Sequence, residues 1–161
     1  MWGLTPIAKN IERVQILQNK CVRIMTFAPF RADANPIFQQ LALLKIEDII
    51  KCEQLKLVND FYCERLPVSL MKLFKLSRDV HTTDYTLNSI YNNLLHIPSF
   101  NTMTYGKKSL KYHCAKLWNT TFKHGNIKVS LDKNVKLSEI ETKNYFKKVL
   151  KMHFLYLHGL Q

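Results

Sequence analysis

The chain has 161 residues, of which 47% are hydrophobic and 22% charged, a composition that fits a folded domain and excludes disordered and fibrous proteins. Its 24 basic and 12 acidic residues give a formal net charge of +12, which indicates a polyanionic partner. Only four glycines are present, too few for glycine-rich phosphate loops or for the many tight turns of β-sandwiches and barrels.

The N-terminal segment predicts a long helix over about residues 6–26. Thr5-Pro6 is a helix start, because a capping residue precedes a proline at the first helical position. Three basic residues, Lys9, Arg13 and Lys20, share the outer face of this helix. The side chains expected to face the core recur at helical spacing and are Ile7, Ile11, Val14, Gln18, Cys21 and Met25.

Three further helical segments are predicted before residue 75. Asn35-Pro36 repeats the start signal and opens a short helix over 37–43. A longer helix follows from 45 to about 64, and another short one is expected over 68–74. The buried stripe predicted for the longer helix is Ile46, Ile50, Leu57 and Phe61.

Residues 75–105 form the least regular part, in which only a weak helix or short extended pieces over 85–97 are expected. Helical periodicity returns over 107–122, where Leu110, Cys114, Leu117 and Trp118 are predicted to point inward. A capping box at Ser138 and Glu141 begins the last helix, which runs to about residue 158. Its predicted core stripe is Phe146, Val149, Leu150, His153 and Leu157.

These segments together predict an all-α fold: a single compact domain over residues 1–161 with five or six helices and an irregular central region. No sheet beyond a two-strand pairing is expected.

The positive charge is concentrated in the C-terminal third. Residues 101–161 contain 12 lysines, no arginine and three acidic residues. Lysine is a mobile point charge that suits sequence-independent contact with phosphate, so we expect binding to RNA or DNA. The alternative is a solvated lysine-rich surface without a partner. The candidate binding residues are Lys107, Lys108, Lys111, Lys143, Lys147 and Lys151, the three basic residues of the first helix, and Tyr105 as a ring that stacks on bases.

The sequence offers no pattern of catalytic or metal-binding residues. The four cysteines contain no C-x-x-C pair, which indicates reduced thiols and a nuclear or cytoplasmic location. His153 and His158 stand five residues apart, whereas two metal ligands on one helix face stand four apart. We therefore expect no metal, no cofactor and no small-molecule substrate. Neither a signal peptide nor an apolar run of about 18 residues is present, so no membrane span is expected.

Four segments, in their order and spacing, resemble the C-terminal region of the reverse transcriptase of non-LTR (LINE-type, jockey-like) retrotransposons. They are Trp2-Gly3, the run from Ile16 to Met25, the run from Pro36 to Ile49, and Tyr105 to Leu110 followed by Leu117-Trp118-Asn119. The chain departs from the family pattern at Thr82-Thr83 after His81, where the family often has Thr-Arg, and at Thr120-Thr121, where it often has Leu-Pro.

The resemblance implies a non-catalytic helical piece of an RNA-directed DNA polymerase, because the family's catalytic aspartates lie in a palm upstream of this region. The first functional hypothesis is therefore a nucleic-acid-binding helical module. The second is a helical protein-interaction or structural module, or a non-functional remnant, whose lysines are only solvated surface. An independent enzyme is the third and has the least support.

Overall fold

A computed structural model of the protein describes residues 8–80, 94–102, 106–107, 109–123 and 143–157. Seven helices lie in these ranges: α1 (Ala8–Met25), α2 (Asn35–Gln40), α3 (Ile46–Tyr62), α4 (Val68–Met71), α5 (Ser77–Val80), α6 (Leu110–Lys123) and α7 (Lys143–Leu157). No strand occurs in the described ranges, where the β-structure is an isolated bridge between Leu76 and Leu95. The all-α prediction is confirmed.

The count of seven exceeds the predicted five or six because a single turn, α5, forms at the start of the segment expected to be irregular. Residues 94–100 carry no helix. The rest of the weak helix predicted over 85–97, the Thr5-Pro6 start and the capping box at Ser138 lie outside the described residues.

The chain divides into two compact units, with the boundary inside α3. Of the described residues, 8–53 and 143–157 form the terminal unit, and 54–80, 94–102, 106–107 and 109–123 form the central unit. The expectation of one domain over residues 1–161 stays a prediction.

Three helix ends close in the same way without glycine. Phe27, Ala42 and Glu64 follow α1, α2 and α3 with positive φ of 53°, 49° and 54°, the left-handed conformation that glycine usually supplies after a helix. In each case the next amide donates to a carbonyl five residues earlier: Ala28 to Arg23 at 2.9 Å, Leu43 to Phe38 at 3.0 Å and Arg65 to Asp60 at 2.9 Å.

In the terminal unit, α1 packs through a different face from the predicted one. Val22 is buried in a cluster with Ile37 and Phe38 of α2, whereas Val14, Cys21 and Met25 of the predicted stripe are exposed. Gln18, a member of the predicted stripe, does face inward together with Gln15, and their amides bond to the Leu44 carbonyl and to the amide of Ile46, the first residue of α3. The prediction was wrong for Val14, Cys21 and Met25, because apolar periodicity does not count these part-buried hydrogen bonds, which place Gln15 on the inward side with Val22.

The predicted stripe of α3 was also displaced. Ile46, Ile50, Leu57 and Phe61 are only partly buried. The fully buried side chains are Leu55 and Val58, and the polar residues beside them, Asp48, Gln54 and Asn59, are also buried. Polar side chains on the core face mask the helical hydrophobic pattern, since a pattern based on hydrophobicity assigns them to solvent.

The central unit has a core of aromatic side chains. Trp118 is buried, as predicted, and its ring stacks on that of Tyr62 at 5.1 Å between centroids and 21° between planes. Phe61 meets Phe74 edge to face at 5.4 Å. Such pairs add to the stability gained from burial alone. Cys114 and Ala115 of α6 are buried as well, while Leu110 and Leu117 are partly buried.

Candidate nucleic-acid interface

The last helix, α7, combines a buried apolar side with an exposed lysine side. Phe146, Val149 and Leu150 are buried as predicted, but Leu157 is exposed and His153 only partly buried. Phe154 and Leu155 are buried in addition. The helix is therefore held by its apolar side, and its orientation fixes which lysines meet solvent.

Three lysines of α7 form one exposed group. Lys147, Lys148 and Lys151 are all exposed. Lys151 stands four residues after Lys147 and three after Lys148, so it neighbours both at about 5–6 Å between Cβ atoms. No acidic residue occurs from 142 to 161, and none of the three forms an ion pair with a described residue. Like charges at this spacing repel, so a bound polyanion would stabilise the group.

A second set of lysines lies at α6, in the central unit. Lys107 is exposed in the turn before the helix and Lys111 is partly buried in its first turn. Lys116 is exposed, with its Nζ 6.0 Å from the centre of the Tyr112 ring. The sequence contains no acidic residue between Asp84 and Asp132. None of these three lysines forms an ion pair with a described residue.

The other predicted site residues divide into two groups. Arg13 and Lys20 are exposed on α1. Tyr105, Lys108 and the side chains of Lys9 and Lys143 lie outside the described residues. Lys107 and Lys111 belong to the central unit and Lys147 and Lys151 to the terminal unit.

Sequence reasoning did not include Lys148 and Lys116 among the site residues. Lys148 does not share the four-residue spacing of Lys143, Lys147 and Lys151. The signal that could have found both residues is the absence of acidic residues along α6 and α7, which is visible in the sequence.

Several residues on which the family resemblance rests have structural partners within their own unit. Asn119 of α6 accepts from the Leu95 amide at 3.0 Å and donates to the Leu95 carbonyl at 2.8 Å. Gln18 of α1 donates to the Leu44 carbonyl at 2.9 Å and accepts from the Ile46 amide at 3.1 Å. These side-chain amides pair the Leu95 backbone, the Leu44 carbonyl and the first amide of α3, so they have a role within the fold.

Packing also explains why residue 106 is a glycine. A Cβ at this position would overlap the Cβ of Phe100, and the Phe100 ring meets Tyr112 edge to face at 5.0 Å. Only glycine lets the chain pass this closely, so the Tyr-Gly-Lys-Lys segment of the resemblance is partly fixed by the fold.

Burial shifts the pKa of three potential nucleophiles or bases among the described residues. Burial raises the pKa of the Cys114 thiol to about 12, which keeps it protonated and unreactive. Burial lowers the pKa of His153, and burial together with the charge of Lys116 lowers the pKa of His113. Within the described ranges, no three His, Cys, Asp or Glu side chains gather closely enough to hold a metal ion.

No helix in the described part of the chain is long and apolar enough to cross a lipid bilayer.

Comparison with known proteins gives no relative: no protein-family model, no curated protein and no solved structure matches the chain.

Proposed function

We propose that this chain is a non-catalytic helical module that binds RNA or DNA through the phosphate backbone, and that it corresponds to the C-terminal region of a non-LTR retrotransposon reverse transcriptase. The observation that carries the binding proposal is the exposed group of Lys147, Lys148 and Lys151 on α7, which no acidic residue of that helix neutralises.

The chemistry of this group favours sequence-independent binding. A flexible ammonium contacts phosphate oxygens without reading base edges. Each contact adds little by itself, because ordering a lysine side chain costs up to about 2 kcal/mol of entropy. Affinity therefore depends on several lysines acting together and falls steeply with salt, since every neutralised phosphate releases counterions.

The test is a salt titration of binding to fluorescently labelled single-stranded RNA, single-stranded DNA and duplex DNA of mixed sequence. The parent protein should bind all three with a steep negative slope of log K against log salt. The variant Lys147→Gln/Lys148→Gln/Lys151→Gln should bind each more weakly and flatten the slope by about 0.7–0.9 for each phosphate that is no longer neutralised. Its helicity should be unchanged, because Gln and Lys have similar helix propensities.

The matched control is Lys45→Gln/Lys72→Gln/Lys75→Gln, which removes the same charge from other parts of the surface. It should keep most of the parent slope. Two results would overturn the proposal: no binding by the parent at low salt, or an equal loss of affinity in both triple variants. The second result would show that only net charge matters.

One observation supports the protein-interaction hypothesis as a second function. The outward side of α1 exposes several large apolar side chains beside Arg13 and Lys20, an arrangement with no use in phosphate contact.

A further inference from the structure

The outward side of α1 has the spacing of a coiled-coil seam. Val14, Leu17, Cys21 and Ile24 follow one another at intervals of three, four and three residues, which places them at successive a and d positions of a heptad. All four are exposed, Leu17 by 58% and Ile24 by 73%. We call these four residues the α1 seam.

The α1 seam is separate from the side through which α1 packs on its own unit. Val22 and the amides of Gln15 and Gln18 occupy that inward side. The helix is therefore anchored on one side and presents a second apolar stripe on another. An amphipathic helix of a folded domain normally needs only the first.

Exposed apolar residues continue beyond the end of the seam. Met25, Phe27 and Phe30 are exposed by 64%, 96% and 78%. Single exposed apolar residues are ordinary, but a contiguous group marks a surface that another molecule covers. Val14 to Ile24 alone spans about 15 Å of helix, enough to take two to three turns of a partner helix.

The charges beside the seam specify what kind of helix fits. Arg13 and Lys20 both occupy the g position, are exposed, and form no ion pair with a described residue. Glu12, the acidic residue of α1, is at position f, outside the seam and its flanks. Residues at e and g set partner choice through interhelical ion pairs. A second copy of α1 has no acidic residue at e or g to offer Arg13 and Lys20, whereas an acidic helix does.

We propose that the α1 seam is a docking site for an amphipathic helix of a partner protein that carries acidic residues along the edges of its apolar stripe. The apolar stripe of the partner covers Leu17 and Ile24, and its carboxylates pair with Arg13 and Lys20. This surface is distinct from the α7 lysines, so the inference stands independently of nucleic-acid binding.

The probe is a synthetic 21-residue helical peptide with Leu at positions a and d and Glu at e and g, labelled for fluorescence anisotropy. One reference peptide has Lys in place of every Glu, and another keeps Glu but has Ser at a and d. The parent protein should bind the first peptide at least tenfold more tightly than either reference. The Ser peptide controls for general attraction between an acidic peptide and a basic protein.

Two protein variants test whether the peptide binds at the α1 seam. Leu17→Gln/Ile24→Gln should lower affinity for the acidic peptide at least tenfold, and Arg13→Glu/Lys20→Glu should reverse the preference toward the lysine peptide. Val68→Gln, which changes an apolar residue of α4 that is 78% exposed, should bind like the parent. All these side chains are exposed, so each variant should keep the parent's unfolding midpoint.

Three results would overturn the proposal. The first is equal affinity for the acidic and lysine peptides, and the second is unchanged affinity in Leu17→Gln/Ile24→Gln. The third is a parent dimer in analytical ultracentrifugation that this double variant abolishes, which would assign the seam to a second copy of the chain. Lys147→Gln/Lys148→Gln/Lys151→Gln should retain peptide binding, which separates this surface from the proposed nucleic-acid interface.

Discussion

Both units use side-chain amides to pair backbone groups that have no partner within a helix, but they differ in how many side chains bind one such group. In the central unit, the segment around Leu95 pairs on one side with the backbone around Leu76: the Ser77 amide donates to Leu94 and the His96 amide to Lys75, both at 2.9 Å. Asn119 satisfies the remaining amide and carbonyl of Leu95 by itself.

In the terminal unit the equivalent task is shared. The Ile46 amide donates to the side-chain oxygens of both Gln18, at 3.1 Å, and Gln15, at 3.2 Å. Because buried backbone groups must be paired, the difference in redundancy should decide how each unit tolerates loss of an amide. The Leu95 backbone depends on one side chain and the Ile46 amide on two.

The largest effect is expected from removing the ring next to Asn119. Trp118→Ala should lower the free energy of unfolding by about 3–5 kcal/mol, because Trp118 is fully buried and stacks on Tyr62. Urea unfolding followed by circular dichroism measures the loss. Trp118→Phe keeps an aromatic face and should lose less. An alanine variant that unfolds at the parent's urea concentration would contradict the assignment of Trp118 to the core.

The comparison of Asn119 with Gln18 predicts that their alanine variants lose unequal amounts of stability. Asn119→Ala should cost about 1–3 kcal/mol, because it leaves two backbone groups of the buried Leu95 unpaired. Gln18→Ala should cost about 1 kcal/mol, since Gln15 still accepts from the Ile46 amide and only the Leu44 carbonyl loses its partner.

The double variant Gln15→Ala/Gln18→Ala sharpens this test. It should cost more than the two single variants together, because only the double change leaves the Ile46 amide without an acceptor. Equal losses in Asn119→Ala and Gln18→Ala, measured by the same unfolding assay, would show that redundancy does not matter.

The smallest predicted effect is a pH dependence to which each unit contributes one histidine. Burial is the main cause that lowers the pKa of His113 in the central unit and of His153 in the terminal unit. The unfolded chain then binds protons more readily than the folded chain, so stability should fall as pH drops below about 6.5. In the variant His113→Gln/His153→Gln, the unfolding midpoint should change less between pH 7.5 and 5 than it does in the parent. A dependence as steep as the parent's would place its origin in other groups.

The helices themselves could be predicted because their boundaries rest on local signals. Pro36 and the apolar spacing around Trp118 located α2 and α6 to within a few residues. The inward faces of α1 and α3 could not be predicted in the same way. There, Gln15 and Asn59 lie on the core side, and the partner of Gln15 is the Ile46 amide, whose proximity depends on the folded chain.

In the candidate interface, too, features that depend on one helix could be predicted, and features that depend on packing between helices could not. Exposure of Lys147 and Lys151 follows from the helical pattern of α7 alone. Val14 and Cys21 of the α1 seam are predicted to face the core, because they have helical spacing and an apolar character, but both are exposed. When a helix has two apolar faces, its sequence does not show which of them is buried within its own domain.

The glycine-free helix ends have a consequence for local opening. An L-residue held at positive φ is about 1 kcal/mol less stable than glycine in that conformation, so the last turns of α1, α2 and α3 carry a conformational cost at Phe27, Ala42 and Glu64. These turns should fray before the helix interiors do. The amides that close them, those of Ala28, Leu43 and Arg65, should therefore exchange their hydrogens with solvent faster than amides one turn earlier. A glycine at each left-handed position would slow that exchange.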